Sequence, residues 1–369
     1  MNTVTRSESS YATSLHRSFA LGKVLLVTLS LCAAGCGGGL QVARVKSDQQ
    51  KPNNVWVFFT VEKGKEPVPG IAAGDFEIYE DGQLVSKFES KQTIQNPEVA
   101  AVMYTLLLLD MSGSITESGQ AGELVDAAKQ FSERVGKTQK VGVYAFDGSE
   151  KIHPVVPFTE APGSVSGGLE GLRTFKPKDP STNLNGAVVQ GLETLKKALD
   201  ADRRPLKFGT LVVFTDGTDR AARVPHKDVV QEIKKKDYES YEIFGIGVGA
   251  ELDKGELGDI GRDGTELATD RAKVTEAFDK VASRIEAHTH RFYLLSYCTP
   301  SRNGDHKVRI VAKAKSGSGS LEYDFSAAGF GPPPDCDPER KPAFTLDVDG
   351  AGAPPPEEST SGTSAKKTK

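Results

Sequence analysis

Apolar residues fall on every second position from Val55 through Val57 and Phe59 to Val61, the period of a strand with one buried face. Two more alternating stretches, 75–79 and 84–88, flank Glu80-Asp81-Gly82-Gln83, and Asp-Gly between such stretches predicts a hairpin. This β segment is too small to bury a core unaided. From residue 104 the pattern changes. Residues 104–109 form a nearly continuous apolar run, as expected of a central parallel strand covered on both faces. Helical spacing follows at Val125, Ala128, Phe131 and Val135. Strands at 141–146, 210–215 and 243–248 alternate with helices near 184–199, 224–236 and 272–287. That rhythm predicts an α/β fold with a doubly wound, mostly parallel sheet. Beyond residue 287 the β pattern returns at 292–297, 308–312 and 321–325. Residues 331–369 are rich in Pro, Gly, Ser and Lys and are expected to be a disordered tail.

The chain has 369 residues, enough for two domains, and its formal net charge of −4 offers no basic field for nucleic acid. Near the start, Arg17 and Lys23 precede an apolar run over 24–34, which is too short to span a bilayer but fits the core of a signal peptide. It ends in Ala33-Ala34-Gly35-Cys36. Small residues before a cysteine resemble the lipobox of bacterial lipoproteins, although Ala33 stands where that family usually has leucine. The resemblance implies a signal peptide over 1–35, a lipid (palmitate-bearing) anchor on Cys36 and a place in the bacterial cell envelope. Gly37 is not the aspartate associated with inner-membrane retention, which favours the outer membrane. Residues 36–54 then read as a polar tether. With Cys32 removed and Cys36 lipidated, Cys298 and Cys336 are left to form one disulfide, the alternative being two free thiols.

The chemistry concentrates where the buried run 104–109 leads into Asp110-Met111-Ser112-Gly113-Ser114. In extended backbone, alternate residues project to one side, so Asp110, Ser112 and Ser114 converge as the chain leaves the sheet. All three offer oxygen, the donor a hard cation takes. Thr182 precedes a predicted helix, and Asp216 ends another apolar strand. Asp-x-Ser-x-Ser followed by this Thr and this Asp resembles the metal-ion-dependent adhesion site of von Willebrand factor A domains, over roughly residues 100–287. Pro180-Ser181 stand where that family often has glycines. The resemblance implies Asp110, Ser112, Ser114, Thr182 and Asp216 as ligands of Mg2+, or of Mn2+ or Ca2+. It also implies a protein partner that supplies an Asp or Glu side chain as a further ligand, in adhesion or complex assembly.

Residues 67–82 resemble the leader of a group of exported bacterial A-domain proteins. On that basis 55–98 and 288–328 are expected to make one immunoglobulin-like β-sandwich, with Val57, Phe59, Phe76, Ile78, Leu294, Val308 and Ile310 in its core and the A domain inserted between. Three other readings compete with this one. A phosphotransferase of the haloacid-dehalogenase type needs a second acid where Ser112 stands, so no enzyme is expected. His288-Thr289-His290 lacks a third ligand and reads as one face of a strand entering Phe292. The last alternative is a structural scaffold that binds nothing.

Overall fold

The computed structural model describes residues 39–119, 121–249, 254–331, 336–342 and 344. Its strands are β1 (Gln41–Gln50), β2 (Asn54–Lys63), β3 (Glu66–Pro67), β4 (Phe76–Glu80), β5 (Gln83–Leu84), β6 (Thr93–Gln95), β7 (Ala101–Asp110) and β8 (Lys140–Phe146). They continue with β9 (His153–Thr159), β10 (Leu206–Thr215), β11 (Glu242–Val248), β12 (Gly264–Ala268), β13 (Phe292–Cys298), β14 (Asp305–Ala314) and β15 (Gly317–Ser326). The helices are α1 (Lys87–Ser90), α2 (Gly113–Thr116), α3 (Ala121–Val135), α4 (Pro162–Glu170), α5 (Leu184–Ala201), α6 (His226–Glu232), α7 (Lys254–Ile260) and α8 (Val274–Thr289).

The α/β part is a sheet in the order β12-β11-β10-β7-β8-β9, parallel except where β9 joins β8 at the edge. β7 explains the unbroken apolar run. Its Leu107 and Leu109 pack with Phe131 of α3 and Phe278 of α8, while Leu106 and Leu108 pack with Leu192 and Leu195 of α5. Each fully buried Leu contributes roughly 1.5–3 kcal/mol of hydrophobic stabilisation, so the strand anchors both layers of helices.

The flanking β segments form two facing sheets. One runs β1-β2-β13-β6 with β3 on β2, the other β15-β14-β4-β5. Val57, Phe59, Phe76, Ile78, Val308 and Ile310 share one buried core between them. Leu294 does not join it. Tyr293, Leu295 and Tyr297 take the inward positions of β13, so the alternation sends Leu294 to the opposite face. There it packs with Trp56, Phe58 and Phe292 beneath Ala101, Met103, Leu206 and Phe208, the first residues of β7 and β10. The α/β part thus stands on the outer face of one sheet by the N-terminal ends of its strands.

Four other expectations are corrected. Residues 41–50 are not tether but the edge strand β1, paired antiparallel with β2. Its polar side chains face solvent, and a register irregularity between Arg44 and Lys46 breaks the alternation that would have marked it. The stretch 84–88 pairs only at Gln83–Leu84 and then turns into α1, leaving Phe88 97% exposed. The hairpin turn itself is as read, with Asp81 and Gly82 both at positive φ (49° and 81°). His288 ends α8 against Glu242, and His290 lies beyond the helix rather than in a strand.

The fourth correction concerns the tail, of which the described residues 336–342 and 344 include several packed on the sandwich. Cys336 is disulfide-bonded to Cys298 with Cα atoms 5.8 Å apart, within the range such a bond needs. Trp56 Nε1 and Gln95 Nε2 donate to the Arg340 carbonyl oxygen at 2.9 and 3.0 Å, and Phe344 sits in the junction core. A Pro-rich segment with few apolar residues cannot order itself, but a covalent tie and a sheet face to lie on remove that requirement. The signal peptide, Cys36 and the remainder of the tail lie outside the described residues.

The docked tail makes a testable difference. Phe344→Ala should lower the free energy of unfolding by about 3 kcal/mol, as removal of a buried Phe does. Urea denaturation measures it; a change under ~0.5 kcal/mol, the size of a surface substitution, would mean the segment does not belong to the core.

Candidate metal centre

Sheet order creates the site. From β7 the chain goes one way to β8 and the other way to β10, so the C-terminal ends of β7 and β10 border the switch point where open α/β sheets bind ligands. Asp110 ends β7, and Thr215-Asp216 end β10 beside it.

Asp110 is fully buried. Its Oδ1 accepts the Ser112 backbone N–H at 2.9 Å and its Oδ2 accepts the Thr215 hydroxyl at 2.7 Å. Burial is the main force on its proton: it pushes the carboxyl up to about 7, against the hydrogen bonds from Thr215 and Ser112 and with help from the negative charge of Asp216. Ser112 Oγ and Ser114 Oγ are 3.1 Å apart, and Ser114 Oγ donates to Asp216 Oδ1 at 2.8 Å. Asp110, Ser112, Ser114 and Asp216 are therefore linked in one polar chain. Exposure rises along it, from buried Asp110 and Ser112 to half-buried Asp216 and exposed Ser114, so the centre opens to solvent on one side.

Thr182 arrives from a separate loop and is buried. Its carbonyl oxygen accepts from Ala221 N–H, and its Oγ1 lies 3.8 Å from where a Cβ at Gly217 would stand. The structure thus brings together the loops of all five predicted residues. The Pro180 carbonyl oxygen receives Gly113 N–H at 2.8 Å, a backbone contact that joins the first two loops.

The donor set fits a hard divalent cation. Desolvation favours the neutral form of the Asp110 carboxyl, whose hydrogen-bond partners are neutral, and a cation beside it would favour the charged form. Among the described residues no cluster of three or more His, Cys, Asp or Glu is placed to hold a metal, so a cation at this centre would need the Ser112, Ser114 and Thr182 hydroxyls beside Asp110 and Asp216.

Three residues with structural roles at the centre escaped the sequence reading. Thr215 orients the Asp110 carboxylate. Asp147, just beyond β8, is buried and accepts Ser149 and Lys178 N–H at 2.8 Å each, while its carbonyl oxygen takes Asn183 N–H. Burial raises its pKa, but these hydrogen bonds outweigh that and hold the carboxyl below its ordinary value. Asn183 caps α5 through Gly186 N–H at 3.2 Å. The available signal was the apolar run 141–146 meeting Asp147, the same strand-to-aspartate step as at Asp110.

Among curated proteins no sequence match was found. Proximal thread matrix protein 1 of the mussel byssus is similar at 18% identity, over 50% of this chain and 48% of that one, with a TM-score of 0.42. The chain thus spans about half that relative's length, and one structure of that protein has a zinc-occupied MIDAS motif. A von Willebrand factor type A protein from Catenulispora acidiphila is 12% identical over 79% of this chain and 73% of its own, at a TM-score of 0.44. The manganese-loaded TRAP protein of Plasmodium vivax is 11% identical over 69% of this chain and 99% of its own, at 0.42. The family model for the von Willebrand factor type A domain matches residues 106–303, more than half of the chain, and on that match the chain belongs to the von Willebrand factor type A domain family.

Proposed function

We propose that this protein is a lipid-anchored envelope protein, not an enzyme, that binds a protein partner through a divalent cation held by Asp110, Ser112, Ser114, Thr182 and Asp216. The observation that carries the reading is the buried, uncompensated carboxylate of Asp110 at the root of a polar chain that reaches solvent. Mg2+ is the cation favoured by five hard oxygen donors, with Mn2+ and Ca2+ as substitutes. When bound, the cation supplies a fixed positive charge with room for one more oxygen.

The residues divide the work by position. Asp110 provides charge from below, and Thr215 and the Ser112 N–H hold its two oxygens apart. Ser112, Ser114 and Thr182 add neutral oxygens. Asp216 closes the rim from β10. The two carboxylates would balance the charge of a divalent ion, the three hydroxyls would add neutral oxygens, and a partner's Asp or Glu would supply a further one. The centre lies at the opposite end of β7 from the junction with the sandwich, roughly 30 Å along a ten-residue strand, so a partner approaches clear of the β-sandwich.

Affinity capture tests partner binding. The full chain with Mg2+ should retain a protein that elutes with chelator and fails to bind Asp110→Ala; retention unchanged by chelator would remove the cation from binding, and no retained protein would favour a scaffold. Anchoring is tested separately, by mass spectrometry of the N-terminal peptide. Diacylglyceryl Cys36 is expected, and an unmodified Cys36 or another start would remove the anchor. Among the described residues no helix is long and apolar enough to cross a membrane.

The raised Asp110 pKa sets the pH dependence. Its folded value of about 7 exceeds the unfolded value near 3.8, so in the metal-free protein stability falls as pH rises between the two. Below about pH 7 a cation must displace the proton. Mn2+ affinity should therefore rise about tenfold per pH unit from 5.5 to 6.5 and level off above 7.5. Calorimetric titrations across this range decide it, and an affinity flat with pH would exclude Asp110 as a ligand.

A further inference from the structure

Two of the loops that carry candidate ligands are joined by a residue outside the ligand set. Arg223 follows Asp216 in the loop after β10. It donates from Nε to the Gly148 carbonyl oxygen at 2.6 Å and from Nη2 to Asp179 Oδ2 at 3.0 Å. Gly148 lies just beyond β8, and Asp179 lies in the loop that ends at Thr182. Gly148 N–H in turn donates to the Asp179 carbonyl oxygen at 3.0 Å. A Cβ at Gly148 would overlap Ser181 Oγ and the Asp179 carboxylate, so these loops touch at the backbone.

The chain between the two loops is also bent in an unusual way. Ala221 N–H reaches the Thr182 carbonyl oxygen at 3.0 Å, and the next residue, Ala222, has φ 49°. The left-handed region is unfavourable for an alanine, and such a residue persists where its surroundings over-determine it. Here the determinants are on either side. Ala221 is held to Thr182, and Arg223 is held to Gly148 and Asp179. The turn at Ala222 is what lets both contacts form at once.

We propose that Arg223 is a positioning residue for the cation centre, fixing the separation of Thr182 from Asp216 through Gly148 and Asp179. This rests on the metal reading above. A guanidinium fork spans a carbonyl and a carboxylate together, which a lysine ammonium does not reproduce. The ion pair with Asp179 is partly exposed, so it adds little to global stability, and its effect is on loop spacing. The cation registers that spacing. Mg2+ demands near-octahedral geometry at short range, whereas Ca2+ accepts longer and more variable contacts.

The test is calorimetric titration of the full chain with Mg2+ and with Ca2+, in wild type, Arg223→Ala, Arg223→Lys and Gly148→Ala, beside metal-free melting curves. Each variant should lose at least about tenfold in Mg2+ affinity, the usual scale for residues that support ligands, with a smaller loss for Ca2+. The Mg2+/Ca2+ ratio is the informative readout, because a general loss of folded protein lowers both affinities alike. Wild-type Mg2+ affinity in Arg223→Ala, or parallel losses for both ions with a lowered metal-free Tm, would overturn the positioning role alone. Absence of binding by the wild-type protein would overturn the metal reading and this inference with it.

Discussion

A carboxylate buried at the end of the central strand, with neutral hydrogen-bond partners, is the constraint around which the α/β part is arranged. Asp110 occupies the last position of β7, a strand covered on both faces, so water cannot reach it from either side. Desolvation of this kind makes a charge costly unless something compensates it. Among the described residues the hydrogen-bond partners of the Asp110 carboxylate are the Thr215 hydroxyl and the Ser112 N–H. Those groups orient the carboxylate without neutralising it. A bound cation would supply the compensation that these groups do not, in place of the proton that desolvation otherwise holds on Asp110.

The same strand also joins the two bodies of the molecule. Its first residues, Ala101 and Met103, rest on Trp56, Phe58 and Leu294 of the sandwich, and its last residue carries the site. Both β segments contribute to that footing, since β2 and β13 are neighbours in one sheet although the α/β part lies between them in the chain. The disulfide and the docked residue Phe344 close the footing from a third direction. Rigidity at the base suits a centre whose ligands come from loops at the far end.

Much of this was legible in the sequence, for identifiable reasons. β7 could be read because a strand buried on both faces must be apolar at every position, and the alternation of Leu106 to Leu109 between two helical layers is that rule in practice. Asp110, Ser112 and Ser114 stood out because alternate residues converge as the chain leaves a strand, and Thr182 and Asp216 joined them through the resemblance to the metal-ion-dependent adhesion site. What was not legible depends on partners distant in sequence. β1 is polar and irregular, and is a strand because β2 lies beside it. Leu294 faces the junction because Tyr293 and Leu295 claim the sandwich core. The cross-loop contacts of Arg223 join segments whose proximity follows from strand order, which local pattern does not reveal.

The most direct test of the central claim is electron paramagnetic resonance of Mn2+ added to the full chain at pH 7.5, with and without millimolar acetate. The account predicts one bound ion per chain, coordinated by oxygen alone, and loss of one coordinated water when acetate takes the open position. A wild-type protein that binds no Mn2+, or one that binds it no better than Asp110→Ala, would contradict the account.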